Sequence, residues 1–112
     1  MKDDTVYLRH ILECIRRIEE HAAGGRPAFL ASHTLQDATL RNLQTLAEAT
    51  QRLSDALKAK RPDIPWASIA GFRNVLVHNY LGIDLGLVWT VIERDLPPLK
   101  QAVASLLAGL PD

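Results

Sequence analysis

The chain has 112 residues, 47% of them hydrophobic and 23% charged, and its 13 basic and 13 acidic side chains give a formal net charge of zero. Length and composition are typical of one globular domain, so we expect residues 1–112 to form a single domain. Zero net charge excludes long-range attraction to nucleic acid or acidic membranes, so any such binding must come from a local patch. It also favours self-association mildly.

The single cysteine, Cys14, excludes an internal disulfide framework and fits a reducing compartment. It falls beside an apolar helical stripe, which predicts an inert core thiol. Two acidic residues, Asp3 and Asp4, stand near the start where a signal peptide is basic, and no apolar segment follows them. No apolar run approaches the roughly 18 residues that a membrane-spanning helix needs. We therefore predict a cytoplasmic protein outside the membrane.

The first predicted helix is amphipathic and begins near Asp3 and Asp4, whose charges suit the positive end of a helix dipole. Apolar residues recur in it at spacings of three and four: Leu8, Ile11, Leu12, Ile15 and Ile18. Gly24-Gly25 and Pro27 are expected to end it. The second predicted helix opens near Ser32 or Thr34 and runs to about Lys60.

The third predicted helix runs from about Pro65 to Tyr80 and is the most apolar of the chain. A short turn follows, and Asp84 is expected to cap a fourth helix. Pro97-Pro98 must kink or break that helix, after which helical spacing resumes as far as Gly109. No alternating strand pattern is present. The sequence therefore predicts an all-α fold, an up-and-down bundle of four helices with the last kinked into a fifth piece.

Polar side chains interrupt the third predicted helix, where Arg73, Asn74, His78 and Tyr80 lie among apolar residues. On an ideal helix, Arg73 and Tyr80 share one side, while Asn74 and His78 share another with Gly71. Such a helix is expected to be covered on more than one side, and a second subunit could be the second cover.

Two interpretations of these polar residues stay open from spacing alone. In the structural one, Arg73 pairs with Asp37 or Glu48 of the second helix, and His78 is a hydrogen-bonded core histidine. In the functional one, histidine exchanges protons near neutral pH and arginine clamps a phosphate. Metal-free RNA cleavage needs a base, an acid and a cation, and a two-fold dimer of this stretch would supply them all.

Other functional sites have little support in the sequence. His10, His21 and His33 lack metal-ligand spacing, no cysteine pair exists and no glycine-rich phosphate loop is present, so we predict no metal and no cofactor. The short basic groups at 16–17 and 58–61 are more typical of a solvated face than of a phosphate-binding rim. Trp66 and Trp89 have core-like spacing rather than that of base-stacking platforms.

The stretch 73–80 resembles the signature of the HEPN domain, specifically of the HepT-like toxins: an arginine, a polar residue, a histidine and a tyrosine. Arg73, Asn74, His78 and Tyr80 match it position by position. The resemblance covers about residues 30–100 and includes 37–38, 41–43, 47–49, 64–66, 69–71, 84, 88–89 and 96–97. The residue before the tyrosine is often acidic in the family and is Asn79 here.

This resemblance implies a HEPN-like bundle that dimerises with both motifs facing a shared cleft. It implies a metal-independent endoribonuclease toxin acting on tRNA or mRNA, with Arg73 and His78 catalytic and Asn74 positioning the substrate. The implied partner is an MNT-type nucleotidyltransferase antitoxin that silences the toxin by AMPylation of Tyr80. Some HEPN proteins are instead non-catalytic dimeric partners that bind a nucleotidyltransferase or a nucleotide, and that alternative stays open.

Overall fold

The computed structural model describes residues 2–111, and this part of the chain contains helices and turns but no strand. Its helices are α1 (Lys2–Ala22), α2 (Arg26–Ala31), α3 (His33–Arg52), α4 (Asp55–Lys58), α5 (Trp66–His78), α6 (Leu85–Arg94) and α7 (Leu96–Ala108). A 3₁₀ turn, Tyr80–Gly82, connects α5 to α6. The predicted all-α helical bundle is therefore confirmed, although with more and shorter helices than expected.

The hydrophobic core forms where α1, α3 and α7 pack together. The predicted apolar stripe of α1 supplies Leu8, Ile11, Ile15 and Ile18, which are at most 1% exposed. Each fully buried side chain of this size contributes about 1.5–3 kcal/mol. α5 packs against α3 beside this core. None of the described helices combines the length and hydrophobicity that crossing a bilayer requires.

Several predicted helix ends are confirmed by their capping contacts. Gly25 has φ +89°, a conformation that favours glycine, and α1 ends before it. The Ser32 hydroxyl accepts a hydrogen bond from Leu35 N at 3.2 Å and starts α3. Asp84 Oδ1 accepts from Gly86 N at 2.9 Å and starts α6. The break before Pro97-Pro98 is also confirmed, because α6 ends at Arg94 and the prolines lie in the first turn of α7.

The prediction that the second helix continues to Lys60 is wrong, because α3 ends at Arg52. Asp4, a buried residue of α1, accepts hydrogen bonds from Ser54 N at 2.8 Å and from the Ser54 hydroxyl at 2.6 Å. These contacts hold Ser54 in an extended conformation, and its Oγ then caps the short helix α4 through Leu57 N. A partner 50 residues away in sequence thus overrides the local helical pattern.

Two further boundaries differ from the prediction. Residues 26–31 form the short helix α2 rather than a loop, and Pro27 lies in its first turn, where its missing N–H leaves no bond unmade. α5 ends at His78 instead of Tyr80. Tyr80 therefore lies in the following 3₁₀ turn, and its direction is not given by the helical wheel that placed it beside Arg73.

Candidate functional site

Arg73 lies in the middle of α5 and faces α3, where it forms an ion pair with Glu48. Its Nε and Nη2 donate to Glu48 Oε2 at 3.2 and 2.9 Å, and its Nη1 donates to Asn74 Oδ1 at 3.3 Å. The two charged side chains are 29% and 40% exposed, so the pair is partly solvated. Pairs of this kind contribute about 0–1 kcal/mol to stability. Glu48 therefore orients the guanidinium more than it stabilises the fold.

The opposite side of α5 is uncovered in the single chain. We call it the open face of α5 and define it by Gly71, Asn74, Val75 and His78, all of which are exposed. A Cβ atom placed on Gly71 would meet nothing within 4 Å, so its glycine leaves room for a close approach from outside. The His78 ring forms no hydrogen bond or ion pair with any residue in the range 2–111.

Arg73 and His78 are the two titratable or charged groups of the motif that remain on the helix. On ideal geometry their Cα atoms are about 7.5 Å apart along the axis and about 140° apart around it. No hydrogen bond joins the two side chains within the described structure. One chain therefore has the Glu48-paired guanidinium of Arg73 on one side of α5. The imidazole of His78, without a partner among residues 2–111, lies on the other side.

Tyr80 reaches back to the first half of α3. Its hydroxyl donates a hydrogen bond to Asp37 Oδ1 at 2.8 Å, and both side chains are exposed. This bond to the carboxylate favours the neutral phenol and raises the pKa of Tyr80 above its ordinary value, with smaller contributions from burial and from the Asp37 charge. Asp37 was proposed as a partner of Arg73. In the structure Glu48 holds that position and Asp37 pairs with Tyr80.

Large apolar side chains are exposed at the end of α5 and in the segments that follow it along the chain. Val75, Tyr80 and Leu87 are 47%, 46% and 57% exposed, and Leu81 is fully exposed. We call these four residues the exposed apolar rim. Val75 belongs to the open face itself, whereas the other three follow α5 in the 3₁₀ turn and α6. Four of the six exposed large apolar residues of the described structure thus fall between residues 75 and 87, and the other two are Val6 and Leu30.

A polar pocket of about 370 Å³ opens beside Arg73. We call it the Arg73 pocket, and its lining residues are Glu48, Gln51, Arg52 and Arg73. Glu48 and Arg52 are separated by one turn of α3, which places them on the same side of the helix. Sequence reasoning missed Gln51 and Arg52, although their spacing from Glu48 could have identified them.

The short basic groups are largely neutralised by nearby acids. Arg16 and Arg17 pair with Glu13, whose pKa the two guanidiniums lower to about 2. Arg61 pairs with Asp63 at 2.7 Å. These contacts match the interpretation of the groups as a solvated face, and they leave less free positive charge for a phosphate.

The two tryptophans and the cysteine singled out in the sequence have structural surroundings of their own. Trp66 is partly buried, and its Nε1 donates to the carbonyl oxygens of Lys58 and Arg61, both at 3.1 Å. Trp89 is buried and packs on Phe29 with the ring centroids 5.5 Å apart. Cys14 is buried, and burial raises the pKa of its thiol. Such a thiol carries little of the reactive thiolate form.

Known proteins share the sequence over nearly its whole length. A longer protein of Methanocaldococcus jannaschii, whose name joins a gamma-glutamylcyclotransferase to a candidate RNase, is 38% identical over 97% of this chain and 50% of its own. The chain thus spans about half of that relative. A protein of Thermococcus cleftensis named as a probable ribonuclease HepT is 35% identical over 84% of this chain and 86% of its own.

A more distant relative is the mRNA nuclease HepT of Shewanella oneidensis, which is 26% identical over 83% of this chain and 87% of its own. No solved structure matches the chain significantly. The family model described as "Ribonuclease HepT-like" matches residues 11–106, a range that includes α3, α5 and the whole motif from Arg73 to Tyr80. The chain therefore belongs to the HepT-like ribonuclease family.

Proposed function

We propose that two copies of this chain form a metal-independent endoribonuclease that cleaves tRNA or mRNA between facing α5 helices. The observation that carries the proposal is the open face of α5. It displays His78, which has no hydrogen-bond or ion-pair partner among residues 2–111, on a helix that also holds Arg73. The family match and the nuclease names of the relatives support the ribonuclease assignment.

The proposed reaction uses side chains alone. One His78 accepts the proton of a ribose 2′-OH, and the 2′ oxygen attacks the adjacent phosphorus. The bond from phosphorus to the 5′ oxygen breaks, and the protonated His78 of the second copy gives that oxygen its proton. The products are a 2′,3′-cyclic phosphate and a 5′-OH end. Arg73 stabilises the extra negative charge on the phosphorane, and Asn74 positions the phosphate or ribose.

Dimerisation follows from the number of groups and from the surface. A single His78 cannot be base and acid in one displacement, whereas two facing copies supply both roles. The exposed apolar rim offers the hydrophobic area for such a contact, and Gly71 leaves space for a close backbone approach. Zero net charge imposes no strong repulsion between the copies.

Regulation is proposed to act at Tyr80, where an MNT-type nucleotidyltransferase antitoxin would attach AMP. The hydroxyl oxygen attacks the α-phosphorus of ATP, pyrophosphate leaves, and the phenol proton is lost. The side chain is 46% exposed, so a transferase could reach it. The adduct would replace the hydrogen bond to Asp37 and place an anionic phosphate near the motif, where it would compete with RNA for Arg73.

One observation favours the alternative of a non-catalytic dimeric partner that binds a nucleotidyltransferase or a nucleotide. Glu48 already occupies two donors of Arg73 and neutralises its charge. If RNA does not displace or supplement that carboxylate, the arginine serves the fold instead of the phosphate. An activity measurement on the purified chain separates the two functions.

The test uses chain that mass spectrometry shows to be unmodified at Tyr80. It is incubated with tRNA and with an unstructured mRNA fragment in excess EDTA. We expect cleavage to 2′,3′-cyclic phosphate ends, and a loss of about 10²–10⁴-fold in rate for His78→Ala because acid–base catalysis has this size. Arg73→Ala should lose a similar factor, since it removes the phosphorane clamp.

The matched controls are His33→Ala and Arg94→Ala, which remove an exposed histidine and an exposed arginine outside α5. Both should retain wild-type activity. Intact RNA with the unmodified wild type would support the non-catalytic partner instead. Cleavage that stops in EDTA would overturn metal independence. Co-expression with an MNT-type transferase should add AMP to the wild type but not to Tyr80→Phe.

A further inference from the structure

We propose that the Arg73 pocket is a second phosphate subsite, in which Arg52 binds the RNA phosphodiester next to the one that is cleaved. This inference rests on the proposed ribonuclease function and extends it to how the substrate strand is held. Arg52 lies in the last turn of α3, and the pocket joins it to Arg73 across the groove between α3 and α5.

The geometry of the pocket suits a strand that continues past Arg73. Glu48 faces Arg73 directly, and Arg52 follows Glu48 by about 6 Å along the axis of α3. The volume of about 370 Å³ lies at the lower end of the roughly 300–1,000 Å³ that ligand pockets occupy. Gln51 lines the same pocket, and its amide can donate to a phosphate oxygen or accept from a 2′-OH.

The charge of the pocket selects an anion. The pocket is lined by two guanidinium side chains, Arg52 and Arg73, and by one carboxylate, Glu48, which leaves one net positive charge. Arg16 and Arg61 form ion pairs with neighbouring acids, whereas Arg52 is exposed and forms no ion pair or hydrogen bond within residues 2–111. A free guanidinium beside a clamped one fits the planar, two-pronged recognition of phosphate.

A purely structural role for Arg52 makes a different prediction. A basic residue in the last turn of a helix is favoured by the dipole whether or not a ligand is near. Arg94 is the matched control, because it is exposed in the last turn of α6 and lies outside the Arg73 pocket. A dipole role would give Arg52→Gln and Arg94→Gln the same small loss of thermal stability and no difference in RNA binding.

The first experiment measures binding of a 2′-O-methyl RNA oligonucleotide, which lacks the attacking hydroxyl, by fluorescence anisotropy from 50 to 200 mM salt. We expect Arg52→Gln to weaken binding about 5–10-fold and to reduce the salt slope by about 0.7, the value for one phosphate contact on a single strand. Arg52→Lys should keep the slope and recover part of the affinity, and Arg94→Gln should match the wild type.

The second experiment measures cleavage, in which Arg52→Gln should raise KM more than it lowers kcat. Wild-type cleavage combined with Arg52→Gln binding equal to Arg94→Gln would overturn the subsite and leave the ribonuclease function standing. A wild type that neither binds nor cleaves RNA would overturn the ribonuclease function and the subsite with it. An Arg52→Gln variant that lowers kcat alone would also overturn the subsite, because it would place Arg52 in the chemical step.

Discussion

α1 buries a stripe of apolar residues in the core, whereas α5 buries Leu76 and packs Ile69 and Phe72 against the core only in part. Leu8, Ile11, Ile15 and Ile18 of the α1 stripe lie inside the core and Leu12 is partly buried, whereas Leu76 is the one buried residue of α5, a helix whose residues are all described. Val75, one position earlier, is 47% exposed. Burial within the chain explains the apolar stripe of α1, whereas the exposed apolar residues of α5 form the surface on which the proposed dimer would assemble.

Polar groups show the same contrast. The buried carboxylate of Asp4 in α1 accepts hydrogen bonds at both oxygens from Ser54. His78 at the end of α5 has no such contact within the described residues. Asp4 is buried and finds its hydrogen-bond partners within the chain, whereas His78 is exposed to water. α5 therefore ends in a histidine that no contact within residues 2–111 holds in place.

The largest effect is expected on the free energy of unfolding. It is measured by urea unfolding of Ile11→Ala and Val75→Ala at low protein concentration. Ile11 is fully buried, so its truncation should lower the free energy of unfolding by about 2–5 kcal/mol. Val75→Ala should change it by less than about 0.5 kcal/mol, because solvent already reaches that side chain. Equal losses would show that Val75 is covered within one chain and would break the contrast between the two helices.

Periodicity and capping chemistry predicted those features of the fold that depend on residues close together in sequence. The stripe of α1, the Ser32 and Asp84 caps and the break at Pro97-Pro98 follow from spacing and capping chemistry. The end of α3 does not, because Asp4 and Ser54 are remote in sequence. A short stretch of sequence therefore never contains both Asp4 and Ser54, and local patterns cannot predict their hydrogen bond.

The candidate site shows the same limit. Helical geometry predicted that Gly71, Asn74 and His78 share a face, and the structure leaves that face exposed. Two acidic residues, Asp37 and Glu48, were predicted as possible partners of Arg73, and in the structure Arg73 pairs with Glu48. The partner of Tyr80 could not be predicted, because the change from α-helix to 3₁₀ turn after His78 redirects its ring.

A smaller loss of stability is expected for Asp4→Ala. This variant tests the difference between the hydrogen-bonded Asp4 and the exposed His78. The change removes the acceptor of two hydrogen bonds and leaves the Ser54 donors without it, so the free energy of unfolding should fall by about 1–3 kcal/mol. His78→Ala should alter it by less than about 0.5 kcal/mol. Asp3→Ala is the control, since Asp3 is an exposed acid in the same first turn.

Thermal unfolding of the three variants at neutral pH provides the measurement. A loss for His78→Ala as large as that for Asp4→Ala would mean that the imidazole supports the fold, as in the structural interpretation of the motif. A loss for Asp3→Ala equal to that for Asp4→Ala would assign the effect to helix-end charge instead of to Ser54.

The smallest expected effect is a change in the pKa of Tyr80, whose exposed hydrogen bond joins the 3₁₀ turn after α5 to α3. Asp37→Asn should lower the pKa of Tyr80 towards its ordinary value, because the carboxylate that favours the neutral phenol is gone. Absorbance titration of phenolate in a Tyr7→Phe background isolates the signal, since Tyr7 and Tyr80 are the two tyrosines of the chain.

The sign of the linkage follows from the raised pKa. Between the ordinary value of about 10 and the raised one, the folded state holds a proton that the unfolded state has lost. The contribution of this bond to stability is therefore complete below the ordinary pKa and is lost as pH rises through the raised one. A titration curve that Asp37→Asn leaves unchanged would mean that solvent replaces this contact. Tyr80 would then belong wholly to the open side of the molecule, free for an incoming transferase without displacing Asp37.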